Sequence, residues 1–133
     1  MKKTACYNIF YCIGNFIHLE RRMEITTTQF KHCDLVKVTG RIDSATAPQL
    51  AEAIARIQDA GRYKIVIDMS GVEFISSAGL RVLIASLKNC RRYNRGDLLL
   101  AAMPKNIYSV FDLAGFTSIF KIYEDVLTAV GTF

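Results

Sequence analysis

Lys64-Ile65-Val66-Ile67-Asp68-Met69-Ser70-Gly71-Val72-Glu73-Phe74-Ile75-Ser76-Ser77-Ala78-Gly79-Leu80 changes its pattern along its length. It opens on the unbroken apolar run Ile65-Val66-Ile67, too short for a helix and without the polar alternation of a half-solvated strand. Lys64 to Met69 is therefore predicted as a strand covered on both faces, central in a sheet. Ser76 and Ser77, residue types that cap helices, come just before Leu80, Leu83, Ile84 and Leu87 at helical spacing. This spacing predicts a second helix from Ser77 to about Tyr93, with Asp68 to Leu80 joining strand to helix.

Upstream, Glu24 to Gln29 and Leu35 to Thr39 are rich in β-branched residues and are separated by the polar stretch Lys31 to Asp34, as in a hairpin. A first helix is signalled from Thr46. Thr46 and Gln49 have capping-box spacing, Pro48 falls in the first turn, and Leu50, Ile54 and Ile57 recur at helical intervals until Gly61. Downstream, Leu98 to Met103 reads as a buried strand and Ile107 to Ala114 as a helix stopped by Gly115. Ile119 to Tyr123 reads as a last strand, with a short helix after Glu124. The order β-β-α-β-α-β-α-β-α implies a single-domain α/β fold with a mixed, mostly parallel sheet, because right-handed crossovers lay each helix on a sheet face.

The chain has 133 residues, 51% of them hydrophobic and 22% charged, a globular composition with room for one domain. Its formal charge of +5 suggests nucleic acid or an anionic membrane only if the basic residues share a face. Lys2, Lys3, Arg21 and Arg22, against Glu20 alone, supply most of that excess, and residues 23–133 are close to balanced. The remaining local cluster, Arg91, Arg92 and Arg95, lies where a helix ends. It reads either as a solvated terminus or as a contact for an acidic partner. Residues 1–22 are read as an N-terminal extension to a domain of residues 23–133. No stretch is long and apolar enough to span a bilayer, and direct insertion in a membrane is not expected.

Cys6, Cys12, Cys33 and Cys90 form no C-x-x-C pair, and His18 and His32 do not fall at zinc-ligand spacing with them. Neither a metal site nor a disulfide framework is expected. Cys90 reads as a small core residue, and the cysteine usage fits a reducing cytoplasm.

The junction at Ser76 and Ser77 is where chemistry is expected, since ligands and partners of open α/β sheets gather at the carboxyl ends of the strands. Either serine could do no more than cap the helix. Alternatively one hydroxyl accepts a phosphoryl group, whose negative charge would sit against the positive end of a helix and alter any docked interface. Three ordered segments bear on the choice. Asp68 to Leu80 resembles the signature of STAS domains of anti-sigma factor antagonists, an apolar strand leading into D-S-[ST]-G-[LI]. Gly40-Arg41-Ile42-Asp43-Ser44-Ala45-Thr46-Ala47 is similar to that family's G-x-[LI]-D-x-x-[TN]-A, and Phe111-Asp112-Leu113-Ala114-Gly115-Phe116 to its later F-x-x-[ST]-G-[LF].

The resemblance covers about residues 24 to 130. It implies that Ser77 is the phosphoacceptor, with Ser76 the alternative, and that Asp43, Ser44, Ser76, Ser77, Gly79 and Arg81 form the partner surface. The family's aspartate is replaced here by Ser76, and its next Ser/Thr by Ala78. The implied partner is an anti-sigma factor with serine-kinase activity, with a phosphatase as a further partner. A second reading, prompted by the missing aspartate, is a STAS subunit that regulates a membrane transport system by docking. Enzymatic readings lack their parts. There is no G-x-S-x-G, Walker A, G-x-G-x-x-G or H-E-x-x-H sequence, and no histidine beyond residue 32 to act as a base for Ser77. No cofactor, nucleic acid or metal is expected.

Overall fold

Burial alternates along Asp34–Ile42: Val36, Val38 and Ile42 are buried, while Lys37 and Thr39 reach solvent. In the computed structural model, which describes residues 23–133, this segment is β2. β1 (Glu24–Gln29) pairs with it antiparallel, Glu24 opposite Thr39 and Gln29 opposite Asp34, giving the expected hairpin. β3 (Lys64–Ile75), β4 (Asp97–Ala101) and β5 (Lys121–Tyr123) follow in parallel, in the spatial order β1-β2-β3-β4-β5. The connecting helices are α1 (Ala47–Asp59), α2 (Ser77–Arg91) and α3 (Lys105–Leu113), and α4 (Val126–Thr132) closes the chain. The predicted order and fold class hold.

The apolar run of β3 divides between two cores. Ile65 and Ile67 pack with Leu98 and Leu100 against Leu50, Ile54, Leu83, Leu87 and Phe111 from α1, α2 and α3. Val66 and Leu99, on the opposite face, pack against Ala129 of α4. A strand covered on both sides needs no polar alternation, which is why the run reads as continuous. Phe111, Phe116 and Phe120 meet edge to face, with ring centroids 5.7 to 6.3 Å apart, and seal the lower edge of the larger core.

Two local expectations are corrected. Asp68 to Leu80, expected as the connection of strand to helix, is mostly strand: β3 continues to Ile75 and only Ser76 separates it from α2. The strand is hard to recognise because β3 bulges twice against β2. Met69 and Ser70 together face Val38, and Glu73 is inserted between Val72 and Phe74, so the period of two is broken. At the start of α1 the capping box does not form. Thr46 is the N-cap residue, but its side chain makes no cap bond to α1. Its hydroxyl instead donates to the Arg41 carbonyl oxygen at 2.8 Å and accepts from the Asp43 amide at 2.9 Å, tying the helix start back to β2.

At the amino ends of the strands Asp34 is buried, and its carboxylate takes the Arg62 Nε at 3.0 and 3.2 Å. Gly96 leads into β4 directly over the backbone of Tyr63: a Cβ there would lie 2.6 Å from the Tyr63 carbonyl carbon. Backbone cannot yield as a side-chain tip does, so Gly96→Ala is expected to cost about 2–3 kcal/mol of folding stability, in the range of core overpacking. Urea denaturation measures this, and an unchanged midpoint would show that the strand ends move apart without penalty. Cys33 and Cys90 are buried free thiols. Burial, with Asp34 beside Cys33, pushes the Cys33 thiol above its ordinary pKa. Burial likewise raises Cys90, against the opposing bond from Gln58. Both stay protonated and unreactive. Cys6, Cys12 and His18 lie outside the described residues.

Candidate functional site

The carboxyl ends of β2 and β3 stop side by side, with Ile42 opposite Ile75. The Ser76 amide donates to the Ile42 carbonyl oxygen at 2.8 Å, so the first residues beyond the two strands, Asp43 and Ser76, are held together by backbone. Ser76 has extended φ/ψ, and its hydroxyl accepts from the Gly79 amide at 3.4 Å, which makes it the N-cap of α2. Ser77 is therefore the first helical residue. It is exposed, and the first N–H groups of any α-helix lack carbonyl partners within the helix.

Gly79, one of the residues expected on the partner surface, is buried. A Cβ at that position would lie 2.6 Å from Ile42 Cγ2 and 2.9 Å from Ile75 Cγ1, so the absence of a side chain lets α2 sit directly on the strand ends. Its role is to set the height of Ser77 from beneath. Arg81 is exposed, one turn along α2 from Ser77.

Beside the serines, Asp43 organises the turn that leads into α1. Its Oδ1 accepts from the Ala45 amide at 3.0 Å, the Thr46 amide at 3.1 Å and the Thr46 hydroxyl at 3.2 Å. Slight burial opposes ionisation of this carboxyl. The Thr46 and Ala45 amides, the Thr46 hydroxyl and the Arg41 charge outweigh it, and Asp43 titrates below the ordinary carboxylate range. Ser44 and Ala45 form the exposed tip of the turn.

A depressed pKa fixes the sign of the pH dependence. The stabilisation by the carboxylate is complete above the unfolded-state value of about 4, and is lost as pH falls through the lower folded-state value. Asp43→Asn keeps an acceptor oxygen but not the charge. It is expected to cost about 0.5–1 kcal/mol at pH 7 after solvent screening, and the difference from wild type should shrink toward zero near pH 3. Denaturant titrations at both pH values check this. A constant difference would mean that the charge plays no part.

One feature beside these strand ends was not anticipated. Arg41 and Phe74 are cross-strand partners, and the Arg41 guanidinium lies 4.4 Å from the centre of the Phe74 ring, a cation–π contact. Phe74 stays 38% exposed, an aromatic face on the strand that delivers Ser77. The signal for it was the run Val72-Glu73-Phe74-Ile75, in which the inserted Glu73 turns Phe74 outward while Ile75 stays in the core. Asp43, Ser44, Ser76 and Ser77 thus lie at the ends of β2 and β3 with Arg81 one turn along α2, while Arg41 and Phe74, alternating with the core residues Ile42 and Ile75, lie on the other face of the sheet.

Chemically, the site offers the exposed hydroxyl of Ser77 beside the carboxylate-held turn of Asp43. Among the described residues no three His, Cys, Asp or Glu side chains are placed to hold a metal ion, and no helix is long and apolar enough to cross a membrane.

Comparison with known proteins gives a consistent result. The STAS domain profile matches residues 24–129. A protein of Bordetella bronchiseptica named as the anti-sigma factor antagonist BtrV is 32% identical over 111 residues, covering 84% of this chain and 95% of that protein. An anti-sigma factor antagonist from Mycobacterium paratuberculosis, known from a crystal structure, superposes with a TM-score of 0.76 at 26% identity, covering 84% of this chain and 94% of that one. The Bacillus cell fate determinant SpoIIAA in its phosphorylated form shares the fold, with a TM-score of 0.66 at 13% identity over 82% of this chain and 98% of that one.

Proposed function

Because the chain belongs to the STAS domain family, we propose that it is an anti-sigma factor antagonist, a non-enzymatic regulator that binds an anti-sigma factor with serine-kinase activity and is released by phosphorylation of Ser77. The observation that carries this reading is the position of Ser77, exposed at the first turn of α2 and gripped from below by Gly79 against the strand ends. SpoIIAA, named as a phosphorylated protein, shares the fold, and BtrV, named as an antagonist, is the relative at 32% identity.

In the phosphorylation step the Ser77 Oγ attacks the γ-phosphorus of ATP bound to the kinase. The bond to the β,γ-bridging oxygen breaks, ADP leaves, and the hydroxyl proton passes to a base on the kinase. Ser76 replaces the family's aspartate without loss of the helix cap, since serine and aspartate are both good N-caps. The exchange also removes a negative charge beside Ser77, so the γ-phosphate approaches against less repulsion. Once formed, the phosphoserine adds close to two negative charges at a position where the first-turn N–H groups and Arg81 tolerate it, while the docked partner does not. A phosphatase that removes the group would restore binding.

The test is to mix the unphosphorylated protein with its cognate anti-sigma kinase, without ATP and then with it, and follow the complex by size-exclusion chromatography. A stable complex that dissolves as phosphate is incorporated supports the reading. Failure to associate in either condition would overturn it.

A further inference from the structure

We propose that the far end of α2 carries a second docking surface, which accepts an acidic amphipathic helix of a partner protein. Lys88, Arg91 and Arg92 line a groove of about 480 Å3 whose apolar floor is Ile84, Leu87 and Ile119. The α2 residues that line it run from Ile84 to Arg91, so at a rise of 1.5 Å per residue the groove begins about 10 Å and ends about 21 Å along the helix from Ser77. It does not belong to the surface described above.

Each part of the groove has a distinct job. Arg91 builds the wall: its Nε bonds to Asp97 Oδ1 at 2.9 Å and its Nη2 donates to the Ile119 carbonyl oxygen at 3.4 Å, which fixes Ile119 beside α2. Lys88 and Arg92 make no ion pair among the described residues and are exposed on the rim. Ile119 is 40% exposed, so its apolar surface is unspent.

The turn that closes α2 adds an independent observation. Tyr93 and Asn94 both have φ of 57°, a left-handed conformation that is costly for a bulky residue and that recurs at binding sites. The turn holds Tyr93 83% exposed, with the guanidinium groups of Arg92 and Arg95 each 5.8 Å from its ring centre. Arg95 is anchored in turn over the Tyr63 ring at 3.7 Å and by bonds to Asn89. Tyrosine and arginine are the residue types enriched in binding hot spots, and Tyr93 adjoins Arg92 of the groove's rim.

The groove chemistry selects the occupant. Rim cations demand negative charge, and an aliphatic floor demands apolar side chains. A concave slot beside a helix takes the apolar face of another helix, whereas a bilayer needs a protruding apolar surface. Nucleic acid would find a stacking face in Tyr93 but would leave the aliphatic floor of Ile84 and Ile119 unused, whereas the apolar face of a helix buries it.

The probe is a synthetic helical peptide with leucine at positions i, i+3, i+4 and i+7 and glutamate elsewhere. It is compared with its lysine counterpart, anionic phosphatidylglycerol vesicles and a DNA duplex, all against the full chain. The acidic peptide should bind preferentially and shift the amide resonances of Ile84, Lys88, Arg92 and Ile119. The double variant Lys88→Glu/Arg92→Glu should bind it at least tenfold more weakly with an unchanged thermal melt, and Tyr93→Ala should weaken it by a smaller factor. Equal affinity for the double variant, shifts confined to other surfaces, or stronger binding to vesicles or DNA would overturn the proposal. So would self-association of the chain through the groove, detected by sedimentation.

Discussion

Ser77→Asp is expected to weaken binding to the anti-sigma partner by at least a hundredfold, close to 3 kcal/mol at about 1.4 kcal/mol per tenfold. The loss comes from placing a charge at the centre of the interface, where unpaired or like charges cost several kcal/mol. It does not come from damage to the fold, because a carboxylate in the first turn is favoured by the helix dipole and Ser77 is already exposed. Thermal stability should therefore stay the same or rise slightly while affinity falls. Aspartate carries less charge than phosphoserine and is smaller, so phosphorylation itself should weaken binding at least as much. Ser77→Ala should bind within a few-fold of wild type. Isothermal titration calorimetry with the partner measures all three forms, and an aspartate variant within threefold of wild type would contradict the account.

Gly79→Val should be the most disruptive single change at the site. The new Cβ would begin 2.6 Å from Ile42 Cγ2 and 2.9 Å from Ile75 Cγ1, and the valine methyls would press further into the same two side chains. Either α2 lifts from the strand ends or Ile42 and Ile75 leave their places in the core. Overpacking of this kind typically costs 1–3 kcal/mol, and a branched side chain lies at the upper end, about 3 kcal/mol. In a domain of this size that lowers Tm by roughly 10 °C. Since Ser77 rides on the same turn, partner affinity should fall as well, although Gly79 itself is buried. Gly79→Ala should show a smaller loss of both. An unaltered Tm for the valine variant, by differential scanning calorimetry, would mean that the close approach is not needed.

These predictions rest on features of unequal visibility in the sequence. The element order was legible because each helix carries its apolar stripe and each central strand its apolar run: Leu50, Ile54 and Ile57 in α1 and Ile65 to Ile67 in β3 occupy the core as their spacing implies. The β-bulges were not legible. A bulge is a property of two paired strands, and nothing in Met69-Ser70-Gly71-Val72-Glu73 alone tells that β2 supplies one residue fewer at each of two points. The same holds for Thr46, whose residue type suits a capping box but whose hydroxyl finds stronger partners in Arg41 and Asp43 once β2 is in place.

Glycine gave partial information. Gly61 and Gly115 end helices at φ of 86° and 77°, as their places after apolar stripes suggested. Gly79 and Gly96 are required by neighbours far apart in sequence, Ile42 and the Tyr63 backbone, and only the folded chain reveals them. The basic cluster divided in the same way. Arg91 and Arg95 are held by Asp97, Asn89 and Tyr63, whereas Arg92 is left on the surface, a distinction that depends on which acceptors the fold brings near the end of α2.

For the site itself, Ser76, Ser77, Asp43 and Ser44 are legible in two short motifs, and the fold brings these together because β2 and β3 end side by side. The Arg41–Phe74 pair lies beside those strand ends on the other face of the sheet. In the proposed function the turn held by Asp43 supplies shape and Ser77 the switch.

The most direct test of that switch is the intact mass of wild type and of Ser77→Ala after incubation with the cognate anti-sigma kinase and ATP. The account predicts that wild type gains the mass of one phosphoryl group and Ser77→Ala gains none. Equal phosphate uptake by both proteins would contradict it.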